Sequence, residues 1–281
     1  MLSFTYDRLT KEQTAAYLQR IGFDGEISIS KDCLDRLIYA HQCRVPFENL
    51  TPCWYHEPVS LEIPALYRKV VEDRRGGYCF ELNRLFVSLL YSLGFPVYSV
   101  MVRLFREPGV LRPIMHRGCV AKLEGRNYFF DVGYGGPMAP FAVELSEKRQ
   151  TYYGETYWAE PFGDVSYCLF RERSAPGYNY EGTVPAGADE SQMIAAFSLA
   201  PMLNEDFIPL NRMTSIENPE SNFVKRLMVN LRTADGYLSL MDHTFTEFHR
   251  SSGKQVRMLT DDEIPEVLER YFGLKINSSR G

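Results

Sequence analysis

The 281-residue sequence predicts an α+β fold, because its hydrophobic period changes near Pro96 and the pattern turns mixed after about residue 189. Before Pro96 the apolar residues recur at three- and four-residue spacing, which gathers them on one face of a helix. From there to about residue 185, β-branched and aromatic residues cluster in short runs, as strands require. The remainder combines strand signals with a terminal helix. The expected parts are therefore a helical bundle over 1–95, an antiparallel sheet or barrel over 96–188, and a mixed unit over 189–281. Length alone suggests about two units, at roughly 150 residues each.

Thr10-Lys11-Glu12-Gln13 has the capping-box pattern and leads into Ala15, Ala16, Leu18 and Ile21, with Gly22 as the stop. Ser30 opens a second helix carrying Cys33, Leu34, Leu37, Ile38 and His41 on one face, and Val45-Pro46 ends it. A third helix is expected from about Leu61 to Val71. A fourth starts near Cys79 and carries Leu82, Leu85, Phe86, Leu89, Leu90 and Leu93 as far as Gly94. After Pro96 come Val97, Val100, Val102 and Leu104, then two runs flanking Glu124-Gly125, then the aromatics from Tyr152 to Phe170. The tail holds strand signals at 227–231 and 237–240, with Asp235-Gly236 as the expected hairpin turn, and a helix after Thr260-Asp261-Asp262. Ser174 to Asp189, rich in glycine and proline, reads as a linker.

Composition narrows the function. The net charge of -5 offers no global attraction for nucleic acid or an anionic membrane, so neither is an expected partner. Six irregularly spread cysteines, with no C-x-x-C, read as reduced thiols in a cytoplasmic protein. The first eight residues have neither the basic nor the apolar region of a secretion signal. Leu85 to Val102 is uncharged and nearly long enough to span a bilayer, but Gly94-Phe95-Pro96 breaks it into a buried helix, a turn and a buried strand. No His/Cys/Asp cluster has metal-ligand spacing, so no metal is expected.

The chemistry centres on Arg75-Gly76-Gly77-Tyr78-Cys79-Phe80-Glu81-Leu82-Asn83, which sets a thiol at a glycine-flexed turn entering a helix. The helix dipole and its unpaired N–H groups favour thiolate there, which makes Cys79 the candidate nucleophile. Of five histidines, His116 stands apart, because it starts a run that turns at Glu124-Gly125 and returns to Asp131. With those two residues central to the hairpin, Asp131 faces Gly118 and shares a sheet face with His116. A turn at Gly125-Arg126 keeps that parity; a three-residue loop breaks it. An aspartate beside imidazole favours imidazolium, and imidazolium stabilises thiolate. The bland readings are a buried structural cysteine, a satisfied histidine and an aspartate capping a strand. Arg75 and Glu81 serve equally well as structural ion-pair partners.

At this point the residues resemble those of a known family. Arg75 to Asn83 is similar to the R-G-G-x-C-x-E-x-N hallmark of the arylamine N-acetyltransferases. Val45-Pro46-Phe47-Glu48-Asn49-Leu50 resembles their upstream V-P-F-E-N segment, and Asp131-Val132-Gly133-Tyr134-Gly135 their D-V-G-F-G. The tail Leu259 to Pro265 also resembles family C-termini. The resemblance implies a helical bundle, a β-barrel and an α/β lid around a cysteine-protease-like catalytic core. It implies a catalytic triad of Cys79, His116 and Asp131, and acetyl-CoA as co-substrate. It places the acyl-CoA and substrate pocket at Phe47, Tyr134 and Gly135, with Phe223 as the pocket phenylalanine of the third part. Tyr134 stands where phenylalanine is commoner and Met115 where threonine is, which bears on acceptor preference rather than on the triad.

The implied reaction is a ping-pong transfer of acetyl through an acetyl-cysteine to arylamines or arylhydrazines, as in xenobiotic metabolism. The stretch from Arg103 to Arg126 carries a local charge of +4, and Arg112 and Arg117 within it are the expected contacts for the phosphates of CoA. An ordinary solvated sheet edge explains that charge equally well. Two other enzyme readings share the residues: an amide synthase of the same family closing a macrolactam, and a transglutaminase-like cysteine hydrolase. A catalytically silent binding protein is a further reading, which the intact Cys79, His116 and Asp131 disfavour. Oligomeric state is left open, with a homodimer allowed.

Overall fold

The computed structural model describes residues 5–105, 110–136, 138–172 and 191–276. It opens with α1 (Lys11–Ile21), α2 (Lys31–Arg44), β1 (Phe47–Glu48), α3 (Leu50–Cys53), α4 (Ile63–Tyr67) and α5 (Cys79–Ser92). The central strands are β2 (Val97–Leu104), β3 (His116–Leu123), β4 (Arg126–Phe130), β5 (Val143–Glu144), β6 (Gln150–Tyr152), β7 (Glu155–Phe162), β8 (Ser166–Glu172) and β9 (Ser191–Ser198). Then come α6 (Ile208–Ser215), α7 (Asn222–Lys225), β10 (Met228–Thr233), β11 (Gly236–Met241), β12 (Thr244–His249), β13 (Gly253–Met258) and α8 (Glu263–Phe272). The fold is α+β.

The helical part begins where its capping signals place it. Thr10 Oγ1 accepts the Gln13 N–H at 3.2 Å and Gln13 Oε1 accepts the Thr10 N–H at 3.0 Å, which completes a capping box. Gly22, at φ 69°, ends α1 in the left-handed conformation. α5 is apolar nearly all round and buried from Cys79 to Leu90, so it must be covered on every side. α1 and α4 cover one side, and β2 and β3 the other. The uncharged run Leu85 to Val102 is the end of α5, a turn with Gly94 at φ 95°, and β2. Among the described residues no helix is long and apolar enough to cross a membrane.

The eight central strands form one antiparallel sheet in the order β5-β4-β3-β2-β9-β8-β7-β6. It curls until β5 lies beside β7, nearly closing a barrel around Val100, Val120, Phe129, Phe141, Tyr157, Leu169 and Phe197. At the seam Gln150 spans the gap with its side chain, accepting the Glu144 N–H at 2.9 Å and donating to the Glu144 carbonyl at 3.0 Å. β9 pairs with both β2 and β8, so the sheet takes a strand from beyond the expected boundary at 188. The expected linker Ser174 to Asp189 lies outside the described residues.

A second sheet has the order β1-β10-β11-β12-β13, and β1 ties the helical part into it by pairing Phe47 with Asn230 and Glu48 with Val229. α3 and α8 cover one face through Leu50, Trp54, Leu268 and Phe272. One expectation needs correction here. The hairpin between β10 and β11 pairs Thr233 with Gly236, so its turn is Ala234-Asp235 and Gly236 is already strand. Glycine is needed there for close approach, since a Cβ would lie 1.9 Å from the Phe248 carbonyl oxygen. The third helix, expected from about Leu61 to Val71, starts at Ile63, before Pro64, and widens into a π-helical turn over Arg68–Glu72.

That turn carries Lys69 into a buried charge cluster. Lys69 Nζ lies 2.7 Å from Glu81 Oε1 and 3.5 Å from Glu48 Oε1, and Arg75 reaches Glu48 Oε1 at 2.9 Å. Burial favours the neutral carboxyl at Glu48, but Arg75 and Lys69 outweigh it and hold the group below its ordinary range. Removing one partner of such a set strands the others without compensation. Glu48→Ala is expected to lower the unfolding free energy by about 3–5 kcal/mol in urea titrations. Arg68→Ala, which removes only the exposed pair with Glu72, should leave the midpoint in place. Equal effects of the two substitutions would contradict this account.

Candidate active site

Cys79 is the first residue of α5 and is 3% exposed. The chain reaches it along β1, where Gly77 O accepts the Glu48 N–H at 2.9 Å. A Cβ on Gly76 would lie 1.8 Å from the Pro46 carbonyl oxygen, so only glycine lets the turn run this close.

His116 opens β3 and Asp131 follows β4. The hairpin turn is Glu124-Gly125, with φ 51° and 76°, and the ladder pairs Leu123 with Arg126 and Cys119 with Phe130. This two-residue turn fixes the parity that the sequence left dependent on loop length. His116 Nε2 lies 2.5 Å from Asp131 Oδ2. Asp131 is fully buried, and its other oxygen accepts the Gly133 N–H at 2.8 Å and the Asn83 amide at 2.8 Å.

Asn83 stands one helical turn after Cys79, on the same face of α5. It also donates to the Arg117 carbonyl at 2.6 Å and accepts the Val132 N–H at 3.0 Å. A single amide therefore locks the start of α5 against both strands of the hairpin. Gly133 completes the approach, since a Cβ there would lie 2.8 Å from Cys79 Cα. The sequence motif contained Asn83 without revealing this role, although the i, i+4 spacing from Cys79 was the available signal.

Burial of His116 favours the neutral ring. The Asp131 carboxylate and the Cys79 sulfur, both hydrogen-bonded to it, outweigh burial and raise its pKa from 6.5 to about 10. Asp131 occupies Nε2, which leaves Nδ1 to serve Cys79.

Cys79 and His116 open onto a cleft of about 220 Å³, lined also by Phe47, Arg112, Met115, Tyr134 and Phe223. Tyr134 meets His116 edge-on, with ring centroids 5.9 Å apart. Phe47 and Phe223 meet edge-on with centroids 6.3 Å apart, and Phe223 also packs on Tyr78 at 5.3 Å. Asn49 holds this wall by donating to the carbonyls of Phe223 and Arg226 at 2.9 and 2.7 Å, contacts that local sequence does not reveal. Gly135 lies beneath the Phe47 ring on an adjoining hollow rather than in the cleft.

Arg117 does not join the cleft. Strand alternation turns it to the opposite side of β3 from His116, where it is fully buried and bonded to Ser99 and Asn204. Nor do the remaining bases of its stretch form one patch. Arg126 pairs with Glu144 at the hairpin end, Arg103 donates to the Arg112 carbonyl, and Arg106 lies outside the described residues.

A thiol, an imidazole and a carboxylate in series beside an aromatic cleft is the constellation of cysteine enzymes that move acyl groups. The comparisons with known proteins narrow that class. A family model described as N-acetyltransferase matches residues 31–280. An arylamine N-acetyltransferase / N-hydroxyarylamine O-acetyltransferase of Salmonella typhimurium is 31% identical over 253 residues, 88% of this chain and 83% of the relative. The solved arylamine N-acetyltransferase of Salmonella typhimurium superposes with a TM-score of 0.82 at 27% identity, over 96% of this chain and 93% of that one. That of Mycobacterium marinum, in complex with CoA, has a TM-score of 0.80 at 28% identity, over 92% of both chains. The chain belongs to the arylamine N-acetyltransferase family, whose members are acyltransferases.

The raised value of His116 has a consequence for stability. Its folded pKa stands above 6.5, so its protonation stabilises the fold fully below about pH 6.5, and this contribution is lost as pH rises toward 10. Between about pH 6.5 and 10 the wild type should lose more thermal stability than His116→Gln. Parallel profiles of melting temperature against pH would refute this.

Proposed function

We propose that the protein transfers acetyl from acetyl-CoA to the nitrogen of an arylamine or arylhydrazine by a ping-pong mechanism, with Cys79, His116 and Asp131 as its catalytic triad. The observation that carries this reading is Cys79 at a helix start, beside an imidazole held by Asp131 at 2.5 Å and open to an aromatic cleft.

Acetyl-CoA is a substrate and supplies the acetyl thioester. The cleft suits its reactive end, with apolar Leu104, Pro113 and Met115 along the wall and Arg112 among the lining residues. Arg112 is the residue present there with the charge to meet a phosphate. Cys79 starts as thiolate beside the His116 imidazolium and attacks the thioester carbonyl. A new carbon–sulfur bond forms on Cys79, the donor's carbon–sulfur bond breaks, and His116 passes its proton to the departing thiolate. The N–H groups of Cys79 and Phe80, at the start of α5, supply donors for the tetrahedral oxyanion, since those of Glu81 and Leu82 are taken by the Tyr78 carbonyl.

In the second half the amine nitrogen, neutral at pH 7 because its lone pair is shared with the ring, attacks the acetyl carbon on Cys79. His116, now neutral, accepts the amine proton as Cys79 leaves as thiolate, which restores the starting pair. Asp131 holds the imidazole in orientation and stabilises its charged form. Phe47, Phe223 and Tyr134 offer ring faces and edges for the aromatic acceptor. The active protein needs no metal in this scheme.

Intact-mass measurement after addition of acetyl-CoA alone tests the covalent step. A gain of about 42 Da, acetyl in place of hydrogen, is expected on the wild type and not on Cys79→Ala. No adduct on the wild type would sink the ping-pong reading. Arg112→Ala should raise KM for acetyl-CoA about tenfold while leaving KM for the amine alone. An unchanged KM for acetyl-CoA would remove Arg112 from the donor site.

A further inference from the structure

Arg117 is the largest side chain in the fully buried interior, and its surroundings are unusual for a cation. Its guanidinium donates to Ser99 Oγ at 3.1 and 2.8 Å and to Asn204 Oδ1 at 3.1 Å, and lies 4.4 Å from the centre of the Phe207 ring. Every one of these partners is uncharged. Among the described residues no carboxylate pairs with it, whereas buried charges are as a rule compensated by an opposite charge. Burial pulls its pKa down to about 10, which still leaves it charged at neutral pH.

The position of this charge is specific. Arg117 lies on the side of β3 that packs on α5, and Asn83, one turn after Cys79, grips its carbonyl at 2.6 Å. Phe207, under the guanidinium, packs on Phe80 at 6.1 Å, and Phe80 is the residue after Cys79. The cation therefore lies on a ring that packs against the first turn of α5, and Arg117 is not among the residues that line the cleft.

The other ionisable groups nearby do not neutralise it. Cys119 and Tyr6 are held in their neutral forms by burial, Arg84 on α5 is itself a cation paired with Asp7 at 3.1 Å, and Glu81 is engaged by Lys69. Asp131 faces His116 and Asn83, and His116 points from the opposite side of the strand. Cys79 shares one apolar cluster with Phe207, the ring on which the guanidinium lies.

We propose that Arg117 is a positioning residue whose buried charge, without a carboxylate partner, stabilises the Cys79 thiolate from outside the cleft lining while His116 stabilises it from the cleft. The proposal rests on Cys79 being the nucleophile.

The test is the pH dependence of iodoacetamide alkylation of Cys79 in the full-length protein, followed by mass mapping of the labelled cysteine. Arg117→Gln keeps polar atoms for Ser99 and Asn204; Arg117→Met fills the volume with an apolar chain, a replacement that buried charges often tolerate. Either variant that folds, as judged by circular dichroism, is sufficient. The midpoint of alkylation is expected to move up by about one pH unit, so that labelling near pH 6 slows about tenfold. Asn204→Ala, which removes an anchor and keeps the charge, is expected to retain the wild-type midpoint. A neutral variant whose profile superimposes on the wild type overturns the proposal, and so does an Asn204→Ala shift as large as that of the neutral variants. Failure of the nucleophile assignment is distinct: the wild-type Cys79 would then label no faster than the other cysteines.

Discussion

The carboxylate of Asp131 is the point on which the site depends. An ion removed from water must be met by donors and opposite charge, or the chain will not fold around it. Here the donors are the Asn83 amide, the Gly133 N–H and the His116 ring, which come from a helix, a loop and a strand. Satisfying Asp131 therefore requires the helical part and the barrel to dock in one relation. The same docking brings Cys79 beside His116, because Asn83 and Cys79 share a face of α5. Stability and site geometry are consequences of one set of hydrogen bonds, and a substitution that loosens the first disturbs the second.

Around this node the recognisable motif residues act mainly as braces. Glu48 gathers Arg75, Lys69 and the Leu50 N–H, Glu81 accepts the Tyr78 N–H, and Asn49 secures the loop that presents Phe223. These residues control how the chain enters α5 and where the aromatic wall stands. The segment that reads as a reactive motif thus holds the candidate nucleophile and several groups that fix its approach.

Periodic and locally encoded features were legible in the sequence. The capping box at Thr10, the stop at Gly22, the start of α5 at Cys79 and the turn at Glu124-Gly125 depend on neighbours within a few residues. Hairpin parity then puts His116 and Asp131 on one face once the turn is known to hold two residues. Features set by distant partners were not legible. The short α3 forms where Glu48 and Asn49 find partners elsewhere in the chain, and Gly236 serves a cross-strand contact that looks like a turn in sequence. Arg117 failed for a related reason: a basic residue beside His116 suggests a surface for phosphates, and only the strand's orientation against α5 shows that it faces inward. Phe47, Tyr134 and Phe223 line the cleft beside Cys79 and His116, a gathering on which composition alone is silent.

The seam of the barrel carries a different lesson. A sheet that stops short of closure leaves N–H and C=O groups along its last strands, and such a border is a template on which a strand of another molecule can grow. Gln150 turns its amide onto both backbone groups of Glu144, so this stretch of border offers neither a donor nor an acceptor to a newcomer. One side chain thereby does what a ninth strand would do, and a chain with an incomplete barrel is guarded there against stacking into fibrous aggregates.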